Sequence, residues 1–463
     1  MKFLILGGGP CGLGAAWRLA EMGHDDWLLV EKSDTWGGLS ASFQDDEGFW
    51  WDIGGHVLFS HYRYFDRVMD ALLGGEDGWL FHRRSARIWM QDRFVPYPLQ
   101  THIHHLPKDI FWECLKGIID LHRNGAGTPK NFDEWILATF GEGIAEWFLR
   151  PYNKKVWAYP PETMDWSWVG ERVAPVDLKA VLRGALFEDT EHADWGPNAF
   201  FRFPRHGGTG RIWRTLAERL PQEKLKKNTE LIRLSMANRT AFFSDGTETA
   251  FDAMISTIPL TRLINLAGES KWPESDKLRH SGTHVVGLGL RGQPPAHLAD
   301  KCWIYFPEDN SPFYRVTVFS NYSPNNVPDI SRQWSLMLEV SESAAKPVVR
   351  DTVVDSVIDG ALNTHLIADR AQVSHAWHRY VPMGYPTPGL GRNQALFPVL
   401  KALEAHGVYS RGRFGAWRYE VGNMDHSFMQ GVEWVNRMLA SGEELTLWYP
   451  EIVNRPHPGG GNR

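Results

Sequence analysis

The chain has 463 residues, with 49 Lys and Arg against 55 Asp and Glu, a formal charge of −6. At ~150 residues per domain this length predicts about three domains, and the mild acidity with no basic face excludes nucleic acid, leaving any anionic ligand to a few placed arginines. No apolar run approaches the ~20 residues of a membrane helix, and Cys11, Cys114 and Cys302 are scattered thiols, so no membrane insertion is expected and the cytoplasm is the expected compartment.

Residues 2–6 read as a short buried strand that runs straight into Gly7-Gly8-Gly9-Pro10-Cys11-Gly12-Leu13-Gly14 rather than into a signal peptide. A helical stretch over 15–20 follows, then a strand Trp27-Leu28-Leu29-Val30 ending on Glu31. Between about 104 and 197 the pattern turns helical, with helices expected around 108–123, 132–149 and 176–187. From 228 to 258 it is β, and strands recur at 284–290, 302–306, 314–320 and 334–340. Helical signals at 350–366 and 395–406 precede a Gly-rich stretch, 412–431, and Pro456–Arg463 reads as a disordered tail. No internal repeat or low-complexity linker appears, so the domains are expected to interleave.

Gly7-x-Gly9-x-x-Gly12 lies between a strand and a helix, with Glu31 nineteen residues beyond its last glycine. Two glycines allow the tight turn and the close approach of a pyrophosphate to backbone N–H groups. The third lets helix and strand pack, and the acid takes ribose hydroxyls. An acid at 31 fits an unphosphorylated adenosine ribose, in FAD or NAD. Lys32 and a second pair, Gly37-Gly38 before Leu39, then resemble the FAD-binding fold of the amine-oxidase and glutathione-reductase kind. No second GxGxxG follows a strand, because Gly207-Gly208-Thr209-Gly210 follows Pro204-Arg205-His206. A separate NAD(P)H domain is therefore not expected.

Further segments carry a more specific resemblance. They include Gly54-Gly55-His56-Val57-Leu58-Phe59-Ser60-His61-Tyr62, Val95-Pro96-Tyr97-Pro98-Leu99-Gln100, Arg150-Pro151-Tyr152-Asn153-Lys154-Lys155-Val156-Trp157 and Gly170-Glu171-Arg172-Val173. Trp195-Gly196-Pro197-Asn198, Phe313-Tyr314-Arg315, Ser320-Asn321-Tyr322, Gly384-Tyr385-Pro386 and Arg418-Tyr419-Glu420-Val421-Gly422-Asn423 continue it in order over nearly the whole chain. Together they resemble the UDP-galactopyranose mutases, the eukaryotic-type branch in particular.

The resemblance implies a reduced FAD whose N5 attacks the sugar's anomeric carbon and displaces UDP. The ring opens, recloses as a furanose and recaptures UDP without net redox change. NAD(P)H is then the external reductant, a UDP-sugar the substrate, and a homo-oligomer an allowed assembly. By resemblance Arg172 and Arg315 hold the diphosphate, and Tyr305, Tyr322, Tyr385 and Tyr419 line the diphosphate and sugar site. Tyr97, Phe148 and Tyr152 offer uracil a stacking surface, Gln100 reads its edge, and Asn153 and Trp157 contact ribose and phosphate. His56 sits on a loop beside the flavin that Gly55 helps to bend, with Asn198 near the sugar and Arg413 near the flavin. Pro10, Cys11, Leu231, Asn423, Met424 and Ser427 complete the cofactor's surroundings. His56, Arg172 and Arg315 are the expected catalytic residues, and no metal site is expected, since His102-x-His104-His105 lacks completing ligands. Met424 stands where the pattern has Gln, Lys154 replaces an aromatic, and the stretch after Ser323-Pro324 is shorter than in the fungal enzymes.

The expected fold is α/β. A Rossmann-like FAD-binding domain is drawn from 1–83, 198–282 and 385–463, with an inserted helical nucleotide-sugar-binding domain at 104–197. An antiparallel β-sheet domain comes from 84–103 and 283–384. The runners-up are the same ring contraction on another NDP-sugar such as UDP-arabinopyranose, an amine-oxidase-like FAD oxidoreductase, and a non-catalytic nucleotide-sugar binder.

Overall fold

Phe3–Leu6 is apolar at every position, as a parallel strand covered on both faces must be. In the computed structural model, which describes residues 1–125, 127–173, 176–187, 198–268 and 277–455, it is the middle strand of a five-stranded parallel sheet. The order is Val408–Ser410, Ala253–Ser256, Phe3–Leu6, Trp27–Val30, Leu225–Lys226. On one face Phe3 and Ile5 share a core with Leu13, Phe428 and Val432, from the helices Pro10–Glu21 and Met424–Ala440. Those helices cross so closely that a Cβ on Gly14 would lie 2.4 Å from the Phe428 carbonyl oxygen. On the other face Leu4 and Leu6 pack with Leu234, Phe243, Leu260 and Leu400. The C-terminal ends of the parallel strands are left open, where such sheets receive ligands.

The second layer is a seven-stranded sheet ordered Val373–Pro386, His280–Arg291, Gln333–Glu342, Arg315–Val318, Trp303–Tyr305, Ala86–Met90, Arg93–Pro96. It is antiparallel except where Trp303–Tyr305 meets Ala86–Met90. The sequence pattern did not mark Val373–Pro386, because this edge strand mixes polar and aromatic residues on both faces. The helix Met424–Ala440 was likewise hidden inside a stretch read only as Gly-rich.

The helical layer comprises Lys108–Asn124, Phe132–Ile144, Arg150–Trp157 and Leu178–Phe187. The helix expected over 132–149 is broken: Gly141 has φ +74, and Ala145–Leu149 winds as a π-turn before Pro151, which has no N–H to give to a regular α-helix. That winding stacks Phe148 on Tyr152 at 5.5 Å and 14°. The expected tail Pro456–Arg463 and the segment Trp195-Gly196-Pro197 lie outside the described residues.

Candidate functional site

One cleft of about 920 Å³ runs from the open ends of the parallel strands, past the seven-stranded sheet, to the helical layer. At its first end the walls are mainly backbone. Gly7 takes φ +97 and presses against Thr257, and a Cβ on Gly12 would stand 1.9 Å from the Gly7 carbonyl oxygen. Gly9 differs: its φ of −81 suits any residue, and a Cβ there would meet nothing closer than 3.9 Å. The space Gly9 leaves is therefore on the cleft side, opposite Gly38. The helix Pro10–Glu21 has no side-chain cap, so its first N–H groups are available to an anionic ligand. Glu31 is buried and accepts the Gly8 and Ser33 N–H groups at 2.6 and 2.8 Å, fixing its carboxylate at the rim.

At the other end the walls are side chains. Arg315 forks onto Glu339 at 2.8 and 2.9 Å, and Glu339 also accepts the Tyr314 hydroxyl at 2.7 Å and the Gly55 N–H at 3.0 Å. Arg172 donates to the backbone carbonyl of Glu420, while its Nη1 is buried with no hydrogen-bond partner. Arg413 donates to the carbonyls of Gly384 and Gly422 and lies 4.9 Å from the Tyr385 ring. Among the described residues no carboxylate pairs with Arg172 or Arg413. Burial raises the hydroxyl pKa of Tyr97, Tyr152, Tyr305 and Tyr385, so they face the cleft as neutral donors.

Between the two ends, Gly54 (φ +84) turns the chain so that His56 enters the cleft. Apart from that opening its ring is enclosed by protein. Enclosure, with Arg413 and Arg315 adding to it against Glu339, pushes its pKa down to about 4. His56 is therefore neutral near pH 7, and its Nδ1 has no hydrogen-bond partner.

A sequence-family model for flavin-containing amine oxidoreductases matches residues 10–437. The chain belongs to this family. Within the flavin-containing amine oxidoreductases it is similar to a crystal structure of reduced UDP-galactopyranose mutase, with TM-score 0.94 and 48% identity, covering 98% of this chain and 97% of that one. Putrescine oxidase bound to putrescine shares the fold at TM-score 0.61 and 14% identity, over 95% and 99% of the two chains. The 15-cis-phytoene desaturase of Arabidopsis thaliana is 40% identical over 62 residues, 13% of this chain and 11% of that protein. The curated relatives are thus matched over about a tenth of their length.

A flavin dinucleotide fits the residues present: the Gly9 space, the uncapped helix start and the rim carboxylate suit a pyrophosphate and a ribose. Gly7, Gly9, Pro10, Cys11, Glu31, Lys32, Gly38, Leu39, Gly55, His56 and Leu231 line the cleft with Arg413, Asn423, Met424 and Ser427. So do Tyr97, Gln100, Phe148, Tyr152, Asn153, Trp157, Arg172, Asn198, Tyr305, Arg315, Tyr385 and Tyr419.

Three expected site residues do not line it. Gly12 lies behind Gly7, and Gly37, at φ +114, packs against Ala41 and Trp213. Tyr322 is the substantive correction. It is fully buried, packed against the tilted and edge-on rings of Phe201, Phe203 and Phe319 at 5.3–5.9 Å, with its hydroxyl unpartnered. A tyrosine in a Ser-Asn-Tyr turn can face either way, and here three phenylalanines draw the ring into the core. Lys154 is exposed and does not line the cleft, whereas Met424 does.

Sequence reasoning missed Glu339, whose signal was a lone acid in the apolar run 334–340, and Tyr314, which stood in a motif read for its arginine. One His/Asp group among the described residues, His61, Asp425 and His426, is close enough for a metal. Its two histidine rings stack at 4.6 Å and 28°. His61 instead gives its N–H and Nδ1 to the Asp425 carboxylate, tying the end of the His56 loop to the start of the helix Met424–Ala440.

Proposed function

We propose that this protein is a flavin-dependent mutase that interconverts UDP-galactopyranose and UDP-galactofuranose with no net redox change, with FAD in the glycine-lined end. The carrying observation is the joining of that end, in one cleft, to Arg172, Arg315 and Arg413. An amine oxidase admits a cationic amine, which fixed guanidiniums would repel. A diphosphate is what they attract. The whole-length likeness to a UDP-galactopyranose mutase supports the same reading.

The reduced flavin, when bound, supplies the nucleophile for the anomeric carbon. Everything else falls to side chains of this chain. Arg172, whose Nη1 lacks a partner, and Arg315 bind the diphosphate as substrate and hold it as leaving group, so it is retained for return. Tyr385 and Tyr419 add hydroxyls there, and Asn198 and Tyr305 orient the sugar. Phe148, Tyr152 and Tyr97 receive uracil with Gln100, and Asn153 and Trp157 contact the ribose side. His56, neutral at working pH, fills the flavin side of the sugar site and excludes water without adding charge. NAD(P)H is the reductant in this reading, and the cytoplasm, where unpaired cysteines are at home, the compartment.

The test is conversion of UDP-galactofuranose to UDP-galactopyranose by anaerobically reduced enzyme, followed by chromatography, with oxidised enzyme as control. Conversion only after reduction is expected. A flavinated, UDP-binding sample without conversion would move the assignment to another sugar nucleotide such as UDP-arabinopyranose. Flavin reduction by an amine substrate alone would replace it with oxidase chemistry. Anaerobic bleaching of the flavin by NADPH checks the reductant.

A further inference from the structure

We propose that Arg392 is a positioning residue for the diphosphate: through the buried Glu420 carboxylate it fixes the turn whose carbonyl holds Arg172. This rests on the reading of the cleft as a UDP-sugar site.

Glu420 lies in the single turn Tyr419–Val421, at the cleft's edge. Its carboxylate is bidentate on Arg392 at 2.8 and 2.7 Å and takes Arg418 Nε at 2.9 Å. Arg392 is 2% exposed, Glu420 5% and Arg418 7%. Burial alone would raise the Glu420 carboxyl, but the two guanidiniums outweigh it and hold its pKa at about 2. A buried Arg–Glu–Arg cluster contributes little net stability over an apolar replacement, so its use is fixed geometry.

What it fixes is the backbone of the turn. The Glu420 carbonyl accepts from Arg172 Nη2 and from Asn454 Nδ2, the latter at 3.0 Å. The adjoining Tyr419 lines the cleft beneath Arg172, whose guanidinium carbon is 5.7 Å from its ring.

The placement of charge explains the arrangement. Arg315 is held directly by a carboxylate, and part of its charge is spent there. Arg172 is held by a neutral carbonyl, with the carboxylate one step further back. Its orientation is set without cancelling its charge, and its buried Nη1 makes no hydrogen bond within the protein. Arg392 serves that end from the start of the helix Arg392–Ala405, 220 positions along the chain from Arg172.

The experiment measures UDP affinity of the flavin-loaded protein by titration calorimetry for wild type, Arg392→Lys, Arg172→Ala and the double variant. Lysine keeps the buried positive charge beside Glu420 but loses the bidentate fork, so Arg392→Lys tests the fork without leaving the carboxylate unpaired. We expect Arg392→Lys to weaken UDP roughly tenfold, and to have no further effect once Arg172 is alanine. Unchanged UDP affinity in Arg392→Lys would overturn the proposal, as would an equal loss with and without Arg172, since a merely structural role weakens both backgrounds alike. Wild type that fails to bind UDP would sink the substrate reading instead.

Discussion

The two ends of the cleft are built from different material. The flavin end is made of backbone: glycines at 7, 9 and 38, an uncapped helix start, and one carboxylate held by N–H groups. The end proposed for the diphosphate is made of side chains carried by distant segments, with Arg172 from the helical layer, Arg315 and Glu339 from the seven-stranded sheet, and Arg413 and Tyr419 from the C-terminal part. A backbone site tolerates no added atom yet depends little on charge. A side-chain site tolerates truncation structurally but loses its chemistry atom by atom.

Gly9→Ala tests the first half and should have the largest effect. The backbone accepts alanine and no protein atom is closer than 3.9 Å to the new Cβ, so the apoprotein should fold with an unchanged melting temperature. The methyl would occupy cofactor space, and flavin content after purification should fall to a small fraction of wild type, with activity following it. Full flavin loading would break the contrast, because the Gly9 space would then serve no ligand.

Arg172→Ala tests the second half. It strands no carboxylate among the described residues, so flavin content and stability should hold. Turnover with reduced enzyme should fall by about 10²–10³ in kcat/KM, the range for losing one preorganised charge contact at a developing anion. A loss of flavin instead would show that the two ends are not separable.

The same division explains what could be read without coordinates. Strand, glycine turn, helix and Glu31 lie close together in the chain, so local spacing alone pointed to a dinucleotide at this end, and resemblance narrowed it to FAD. At the other end spacing says nothing, because no two of Arg172, Arg315 and Arg413 share an element. Their roles rested on resemblance. Glu339 was missed for a related reason: its partners Tyr314, Arg315 and Gly55 come together only when Gln333–Glu342 pairs with Arg315–Val318 and the His56 loop folds over both. The π-turn at Ala145–Leu149 was legible in principle from Gly141 and Pro151, which leave a regular helix over 132–149 without its full set of bonds.

A smaller effect concerns pH. Glu420 titrates near 2 in the folded chain against 4.5 unfolded. A carboxyl with a depressed folded pKa binds more protons when unfolded, so its stabilisation is full above about pH 4.5 and is lost as the pH falls towards 2. Glu420→Gln should therefore flatten the fall in melting temperature between pH 4.5 and the lowest pH at which the protein stays folded, while UDP weakens at pH 7. An unchanged acid limb would mean that the cluster does not carry this titration.

The smallest expected effect falls on Tyr322, the residue on which resemblance and structure part. A buried hydroxyl with no partner forfeits its water hydrogen bonds and gains none, so Tyr322→Phe should leave stability unchanged or raise it by up to about 1 kcal/mol. UDP affinity should stay within about twofold, since three phenylalanines, and not the cleft, surround the ring. A larger loss of UDP affinity, with stability intact, would require the ring to leave that core when ligand binds. The diphosphate end would then be completed by motion, while the backbone-built flavin end is complete as it stands.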